Sequence, residues 1–285
     1  MAENADSLDS RLSVDVLRHG RRICEQTGVD CANYHYLRPI LRRLGIVTSA
    51  YSHSDFYQDA LHEAIASANQ PRIAISGTAD YAWLLENSPL VTAAGSNASN
   101  LEVVVSDVCA TPLRYSLIAA DKSAINASIL QTDIRTDFSL ENQDAVIADA
   151  FLTQFPNRDD RLSILDQWKR SLRLGGLAIT TAQVQAESTP ATKSGVGKIH
   201  SQNVGALYEQ SEYPEILGFS ASGFTNLVSK HTTGRTSRIY ANEEELMDEV
   251  TEIGFTVVDV QQRIVHYPAL DRILSYREVV LRKDS

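Results

Sequence analysis

The spacing of apolar residues changes character once along the chain, near residue 70. Before that point apolar residues recur at helical intervals, as in SRLSVDVLRHGRRICEQ, where Leu12, Val16 and Ile23 stand among polar residues. The stretches YHYLRPILRRLG and SDFYQDALHEAIASAN repeat this spacing, and no strand pattern interrupts them. The first 70 residues are therefore expected to form an N-terminal helical cap.

After residue 70, short apolar runs rich in β-branched residues alternate with helical segments. The five runs are RIAIS, LEVVVSD, SILQTD, DAVIAD and GLAITTA. Strands that are apolar on both faces and alternate with helices predict a parallel sheet covered on both sides. The last two runs, GFTVVDVQQRIV and ILSYREVVLRK, have no helix between them and are expected to pair antiparallel. The predicted fold is α/β, a seven-stranded Rossmann-like sheet of five parallel strands followed by an antiparallel pair.

A polar segment follows the fifth predicted strand. It reads QVQAESTPATKSGVGKIHSQNVGA and contains Pro190, Gly195 and Gly197, which favour a long loop. Loops of this length in compact domains are usually either functional or disordered. We expect residues 71–285 to form one domain that carries a lid-like insertion near 184–240.

Charge and composition narrow the choice of partners. The formal net charge of −10 is spread along the chain, which disfavours nucleic acid as a partner. The arginines of RHGRRICEQ and LRPILRRLG lie at helical spacing, which favours the solvated face of an amphipathic helix over a nucleic-acid patch. No apolar run is long enough to span a bilayer, and the acidic first residues do not resemble a secretory signal. A cytoplasmic protein without a membrane partner is expected, and a homodimer is compatible with these features.

The cysteines and histidines show no familiar metal-binding spacing. Cys24, Cys31 and Cys109 form no CxxC pair, and their odd number argues against a disulfide framework. The seven histidines include neither HxxxH nor HExxH. The sequence alone thus gives no reason to expect a metal.

The first predicted strand runs into a loop with a single glycine, in RIAISGTADYAWLL. A loop between a strand and a helix can present backbone N–H groups to an anionic group at the helix N-terminus. A dinucleotide fingerprint would have three glycines at this place, whereas only Gly77 is present. A cofactor loop and a plain strand-to-helix connection both remain open from the loop alone.

Acidic residues end three of the predicted strands. Asp107 follows LEVVVS, where a carboxylate can accept the hydroxyl groups of a ribose, although it could also cap the next helix. Asp133 in LQTDIRTD could accept the amino group of an adenine, or it could be an ordinary turn residue. Ala148 and Asp149 end the fourth strand, in the crevice where open α/β sheets bind ligands.

Together with LRLGG before the fifth strand, these features resemble the class I S-adenosylmethionine-dependent methyltransferases from about residue 70 to the C-terminus. The resemblance implies S-adenosylmethionine as the cofactor. The implied contacts are Ser76, Gly77, Thr78, Ala79, Asp80, Asp107, Val108, Asp133, Ile134, Ala148 and Asp149.

The sequence departs from the family pattern in two places. The family's loop reads close to acidic-x-G-x-G-x-G, whereas Ile75, Ala79 and Tyr81 occupy the acidic, second and third glycine positions. Leu174 replaces the proline of the family's signature before the fifth strand. A nicotinamide enzyme fits less well, because GxGxxG lets the backbone approach a pyrophosphate that S-adenosylmethionine lacks.

The helical cap is expected to cover the substrate pocket. Its aromatic residues suit a sulfonium cation but equally suit helix packing. Methyl transfer also requires the removal of a proton, and His53, Tyr36 and Asp149 are the candidate bases. The expected activity is O- or N-methylation of a small-molecule acceptor.

Two other activities remain open at this stage. The variant loop is compatible with use of the aminocarboxypropyl arm of S-adenosylmethionine. This chemistry would cyclise the arm to azetidine-2-carboxylate with release of methylthioadenosine, or transfer it to another molecule. The third possibility is a non-catalytic module that binds S-adenosylmethionine.

Overall fold

The structure is a computed structural model of the 285-residue chain. It describes residues 5–26, 28, 31, 34–66, 68–185, 201–233, 238–267 and 272–285. Parts of the predicted lid-like insertion, residues 186–200 and 234–237, lie outside the described residues. No helix among the described residues combines the length and apolar character needed to cross a bilayer.

Seven strands form one sheet in the order β3-β2-β1-β4-β5-β7-β6. They are β1 (Arg72–Ser76), β2 (Glu102–Asp107), β3 (Asn126–Gln131), β4 (Gln143–Ala148), β5 (Leu172–Val184), β6 (Thr256–Tyr267) and β7 (Arg272–Arg282). The first five strands are parallel, and β7 pairs antiparallel with both β5 and β6. The predicted sheet is confirmed, including its closing antiparallel pair.

Ten α-helices connect or cover the strands in the described parts of the chain. They are α1 (Ala5–Gln26), α2 (Tyr34–Arg43), α3 (Ser54–Ala66), α4 (Pro89–Ala94), α5 (Ala110–Lys122), α6 (Arg158–Ser171), α7 (Ser201–Glu209), α8 (Tyr213–Leu217), α9 (Ala221–Thr233) and α10 (Glu243–Glu252). The helical pattern predicted before residue 70 corresponds to α1, α2 and α3. The helix before β6 is α10, and the side chain of Asn242 caps its N-terminus.

Two clusters of buried apolar residues cover the two faces of the sheet. On one face, Leu12 of α1, Leu37 of α2 and Leu61 of α3 belong to the same cluster as Ile73 and Val103 of the sheet. On the other face, Trp168 of α6 and Leu246 of α10 pack with Ala74, Val146 and Ala178. The N-terminal helices therefore share one hydrophobic core with the sheet.

Two local predictions need correction. The glycine loop after β1 leads into a short 3₁₀ helix, Tyr81–Leu84, where the sequence favoured an α-helix. The backbone is extended at Leu85, directly after the 3₁₀ helix, and α4 begins only at Pro89. The LRLGG segment lies within β5, where the sequence suggested a turn that precedes the strand.

Candidate active site

The glycine loop after β1 closes tightly against the end of β4. Gly77 has a φ of +67°, which favours glycine, and an added Cβ would lie 2.0 Å from the ring of Phe151. Ser76, which precedes it, accepts a hydrogen bond of 2.8 Å from the indole nitrogen of Trp168. Gly77 therefore meets two local requirements, a left-handed backbone and close contact with an aromatic ring.

Three backbone N–H groups of this loop already have acceptors within the chain. Gly77 and Thr78 donate to the carbonyl of Ser106, at N···O distances of 2.9 and 3.3 Å. Ala82 donates to Oδ1 of Asp80 at 2.7 Å, so a carboxylate of the chain itself caps the 3₁₀ helix. Gly77, Thr78 and Ala82 are therefore not free to donate to a cofactor, and binding of an anionic group by the remaining N–H groups of the loop stays a prediction.

Asp80 belongs to a buried ion-pair network that joins the loop to α1 and α2. Arg42 donates from Nε to Asp80 at 3.0 Å, and from both terminal nitrogens to Asp9 at 2.7 and 2.8 Å. Tyr81 donates its hydroxyl to Oδ1 of Asp9 at 2.9 Å, and so points toward α1. The arginines of α2 were expected on a solvated face, but the Arg42 side chain is only 6% exposed. That interpretation is wrong for Arg42.

Asp107 lies buried at the carboxyl end of β2. Its Oδ1 accepts a 2.8 Å hydrogen bond from the backbone of Cys109 and lies 3.7 Å from Nε2 of His35. Burial raises the pKa of Asp107, while the nearby His35 and the backbone N–H groups act in the opposite direction. For His35, burial alone would lower the pKa, but Asp107 and the thiols of Cys24 and Cys31 raise it to about 10.

The predicted adenine contacts lie beside Asp107, the predicted ribose contact, on the carboxyl edge of β2 and β3. Asp133 forms an ion pair of 2.6 Å with Arg135, and a hydrogen bond from this side chain lowers the Asp133 pKa. Ile134 is buried, whereas Val108 is 41% exposed. The Asp133 carboxylate therefore already has a partner, and its binding of an adenine amino group stays a prediction.

The end of β4 combines a carboxylate with a strained backbone. Asp149 accepts a 2.9 Å hydrogen bond from Thr181, and the Tyr57 hydroxyl donates to the carbonyl of Ala148 at 3.0 Å. Ala150, the next residue, has a φ of +49°, which is unfavourable for a residue with a Cβ. Strain of this kind is concentrated at ligand-binding and catalytic sites.

Of the three candidate bases, His53 has the arrangement that suits proton transfer. Its Nδ1 lies 2.9 Å from Oε1 of Glu278, which also accepts from Arg263 at 2.9 Å. Burial would raise the pKa of Glu278, but the bonds from His53 and Arg263 lower it, so the carboxylate is charged and accepts. In the neutral imidazole this contact favours the tautomer with the proton on Nδ1, in which Nε2 has the lone pair. Nε2 is buried without a hydrogen-bond partner among the described residues.

Tyr36 lies elsewhere. Its Cβ packs beside Gly20 of α1, and the ionisable groups that act on it include Arg21 and Cys31. Burial raises the pKa of its hydroxyl, which makes it a poor base. His53 and Asp149 instead share Tyr57 as a neighbour, because the rings of His53 and Tyr57 lie 6.3 Å apart, edge to face.

Arg38 of α2 is a further candidate site residue, which the sequence analysis did not identify. Its Nε is buried without a hydrogen-bond partner, and its Nη2 donates to the carbonyl of Thr48. Asp80 and Asp149, which flank the loop and end β4, are the carboxylates whose charges raise its pKa. Among the described residues it has no carboxylate in salt-bridge contact. In the sequence, Arg38 stands at helical spacing from Arg42 and Arg43, a pattern typical of an exposed helix face, so the sequence did not indicate that Arg38 is buried.

The described residues also form a cavity of about 870 Å³ on the outer side of α1. Its lining includes Asp6, Arg18, Arg43 and Glu212, and no residue of the sheet. The cavity is therefore distinct from the strand ends where the candidate site residues meet.

Solved structures of other proteins have a fold similar to that of this chain. An N1-methyltransferase for 1,6-didemethyltoxoflavin from Burkholderia thailandensis, solved with S-adenosylhomocysteine, has 15% sequence identity and a TM-score of 0.50. The match covers 89% of this chain and 85% of that one. A putative sarcosine dimethylglycine methyltransferase from Galdieria sulphuraria has 10% identity and a TM-score of 0.51, with 81% and 86% covered. The chain has the class I S-adenosylmethionine-dependent methyltransferase fold.

No protein-family model and no curated protein sequence matches the chain. The similarity is therefore one of fold. At identities this low, a shared fold does not identify the substrate. The function must therefore be inferred from the residues at the carboxyl edge of the sheet.

Gly77→Ala is expected to lower the free energy of unfolding by about 2 to 4 kcal/mol, measured by urea denaturation. The new Cβ meets the Phe151 ring, and the positive φ adds backbone strain. Gly218→Ala is the matched control, because Gly218 has a φ of +70° with open space around it. Gly218→Ala should lower the free energy of unfolding by about 1 kcal/mol. The double variant Gly77→Ala/Phe151→Ala should be more stable than additivity predicts; strict additivity would contradict the proposed clash.

Proposed function

We propose that the protein is an S-adenosylmethionine-dependent methyltransferase that modifies an oxygen or nitrogen atom of a small molecule. The observation that carries this proposal is the grouping of Asp107, Asp149 and the Gly77 loop along one edge of a sheet with this fold. Ligands of open α/β sheets bind at that edge. Both compared structures bear the names of small-molecule methyltransferases, which supports the choice of acceptor class.

The chemistry of these residues fits S-adenosylmethionine. Asp107 would accept the ribose hydroxyls, and Ile134 and Val108 would supply apolar contacts to the adenine. Arg38 would bind the carboxylate of the amino-acid arm, because its Nε has no hydrogen-bond partner among the described residues and the N–H groups of Gly77 and Thr78 are engaged. When bound, the cofactor would supply an electrophilic methyl group on its sulfonium.

His53 would accept the proton of the acceptor at Nε2. Glu278 fixes its tautomer from the opposite side of the ring, as a carboxylate does in other histidine bases. Asp149, held by Thr181, would orient the acceptor or the amino group of the cofactor. Aromatic rings pack beside His53: the Tyr276 ring lies 4.9 Å and the Tyr57 ring 6.3 Å from it, and Trp83 packs on Tyr57 at 4.8 Å.

Mass spectrometry of the products tests the activity. The purified full chain is incubated with S-adenosylmethionine, alone and with a panel of phenols, amines and N-heterocycles. S-adenosylhomocysteine that forms only with an acceptor supports methyl transfer. Methylthioadenosine released without an acceptor would overturn it in favour of chemistry on the aminocarboxypropyl arm. Cofactor binding by calorimetry without any product would indicate a binding module.

Arg38→Met is expected to weaken the binding of S-adenosylmethionine by about 10- to 100-fold in calorimetry, because a charge-assisted hydrogen-bonded pair is lost. Arg114→Met is the control, since Arg114 lies on α5 and is exposed. S-adenosylmethionine methyl ester, which lacks the carboxylate charge, should bind both the unsubstituted protein and Arg38→Met with similar, weak affinity. Equal affinity of the two proteins for S-adenosylmethionine itself would contradict the assignment.

A further inference from the structure

Three cysteines and one histidine that are distant in sequence meet at the end of β2. Cys24 lies in the last turn of α1, Cys31 lies in the connection to α2, His35 lies in the first turn of α2, and Cys109 precedes α5. The four side chains offer ligand atoms that all lie within 4.8 Å of one another. Cys24, His35 and Cys109 are buried, whereas Cys31 is partly exposed. Spacing along the chain gave no reason to group them.

The separations are close to those of a tetrahedral metal site. Sulfur atoms bound at about 2.3 Å to one tetrahedral zinc lie about 3.8 Å apart. The observed upper bound of 4.8 Å and the Cys24–Cys109 sulfur distance of 3.1 Å bracket that value. Side-chain adjustments of less than about 1 Å would bring all four donors to zinc distances. A disulfide between Cys24 and Cys109 would require a contraction of similar size, to about 2.05 Å.

The surroundings of His35 match those of a metal ligand. One ring nitrogen, Nε2, lies 3.7 Å from Asp107, while Nδ1 is buried without a hydrogen-bond partner among the described residues. Histidines that bind metals commonly hold a carboxylate at their second nitrogen, which fixes the ring. Thr111 adds a hydroxyl 2.9 Å from the sulfur of Cys24. Cys31 is partly exposed and so offers an ion a path of entry from solvent.

We propose that Cys24, Cys31, His35 and Cys109 bind one zinc ion in a closed structural site. Three thiolates and one imidazole favour zinc over hard cations, which prefer oxygen ligands. The four protein ligands leave no position for substrate, so the ion acts as a cross-link. It ties α1 and α2 to Cys109, which precedes α5, and through His35 it fixes Asp107. The proposal stands apart from the proposed methyltransferase activity, because its tests measure metal and not turnover.

The first test uses the untagged full chain, purified without chelators. Elemental analysis is expected to find about one zinc per chain, and titration of the thiols with a mercurial should release that zinc. Cobalt(II) exchanged into the site should give the intense charge-transfer and visible bands of tetrahedral thiolate coordination. These measurements need no variant, so a folding defect cannot mask the result.

The second test compares variants. Cys24→Ser and Cys31→Ser should each lose most of the zinc, and His35→Gln should shift the visible cobalt bands. His62→Gln is the control, because His62 is exposed on α3, and it should keep the full zinc content. Removal of zinc from the unsubstituted protein should also lower its melting temperature.

Several outcomes would overturn the proposal. These are a chain without stoichiometric metal, a stoichiometric metal other than zinc, and a mass that shows a Cys24–Cys109 disulfide in the native protein. Metal content that is equal in the cysteine variants and in His62→Gln would show an adventitious ion only.

Discussion

Replacement of His53 by glutamine is expected to lower kcat for methyl transfer by about 10²- to 10⁴-fold, the usual contribution of a general base. The reason lies in the tautomer. Oε1 of Glu278 lies 2.9 Å from Nδ1, which in the neutral imidazole favours a lone pair on Nε2, and Nε2 is buried without a partner among the described residues. Glutamine retains polarity and approximate size but cannot take the proton. The measurement is single-turnover methyl transfer to the acceptor identified by mass spectrometry.

The affinity for S-adenosylmethionine separates this role from a structural one. We expect the Kd of His53→Gln to stay within about threefold of the unsubstituted protein, because a base for the acceptor does not bind the cofactor. Glu278→Gln should lower kcat less, since it disturbs only the orientation of His53. His62→Gln, on the exposed face of α3, should change neither quantity. An unchanged kcat in His53→Gln would reject His53 as the base.

Asp9→Ala is expected to reduce the free energy of unfolding by about 3 to 5 kcal/mol, because it leaves a buried arginine without its bidentate partner. Asp9 is 7% exposed and accepts two hydrogen bonds from Arg42 and one from Tyr81. Urea denaturation at neutral pH gives the measurement. Asp6→Ala is the control, since the Asp6 side chain is 86% exposed while it pairs with Arg43. Asp6→Ala should lower the free energy of unfolding by less than about 1 kcal/mol.

The Asp9 contribution should also depend on pH in a defined direction. Burial would raise the Asp9 pKa, but the hydrogen bonds and charge of Arg42 lower it below 3.8. A carboxyl group with a lowered pKa in the folded state stabilises above its unfolded pKa and loses that effect as the pH falls through its folded pKa. The stability difference between the unsubstituted protein and Asp9→Ala should therefore shrink below about pH 4. A constant difference down to pH 2 would contradict the ion-pair account.

The sheet was predictable from sequence because its signal is local. Each parallel strand is a short β-branched run, and the final two strands lack a helix between them, so periodicity alone predicted five parallel strands and an antiparallel pair. The loop after β1 was harder. The 3₁₀ helix forms there because Asp80 caps it and Arg42 holds Asp80, and contacts with a residue 38 positions away leave no local pattern.

The site was only partly predictable for the same reason. Asp107 and Asp149 were located because they end strands, and strand ends can be read from the sequence. Arg38 resembled a surface residue, since its burial depends on how α2 packs. The cysteine cluster joins Cys24 to Cys109 across 85 positions, so only the packing of α1 against the start of α5 reveals it.

The shared core of the N-terminal helices has a consequence for how this enzyme fold can change its substrate. Leu12, Leu37 and Leu61 are buried in the same cluster as Ile73 of the first strand. These helices thus cover one face of the sheet. Their exchange for another protein's segment would expose the apolar residues of that face. New acceptors would have to be gained by single replacements among inward-facing side chains, such as those around His53 and Tyr57. Under the proposed function, a replacement there that alters specificity would also alter folding stability, because side chains such as Tyr57 belong to the same core.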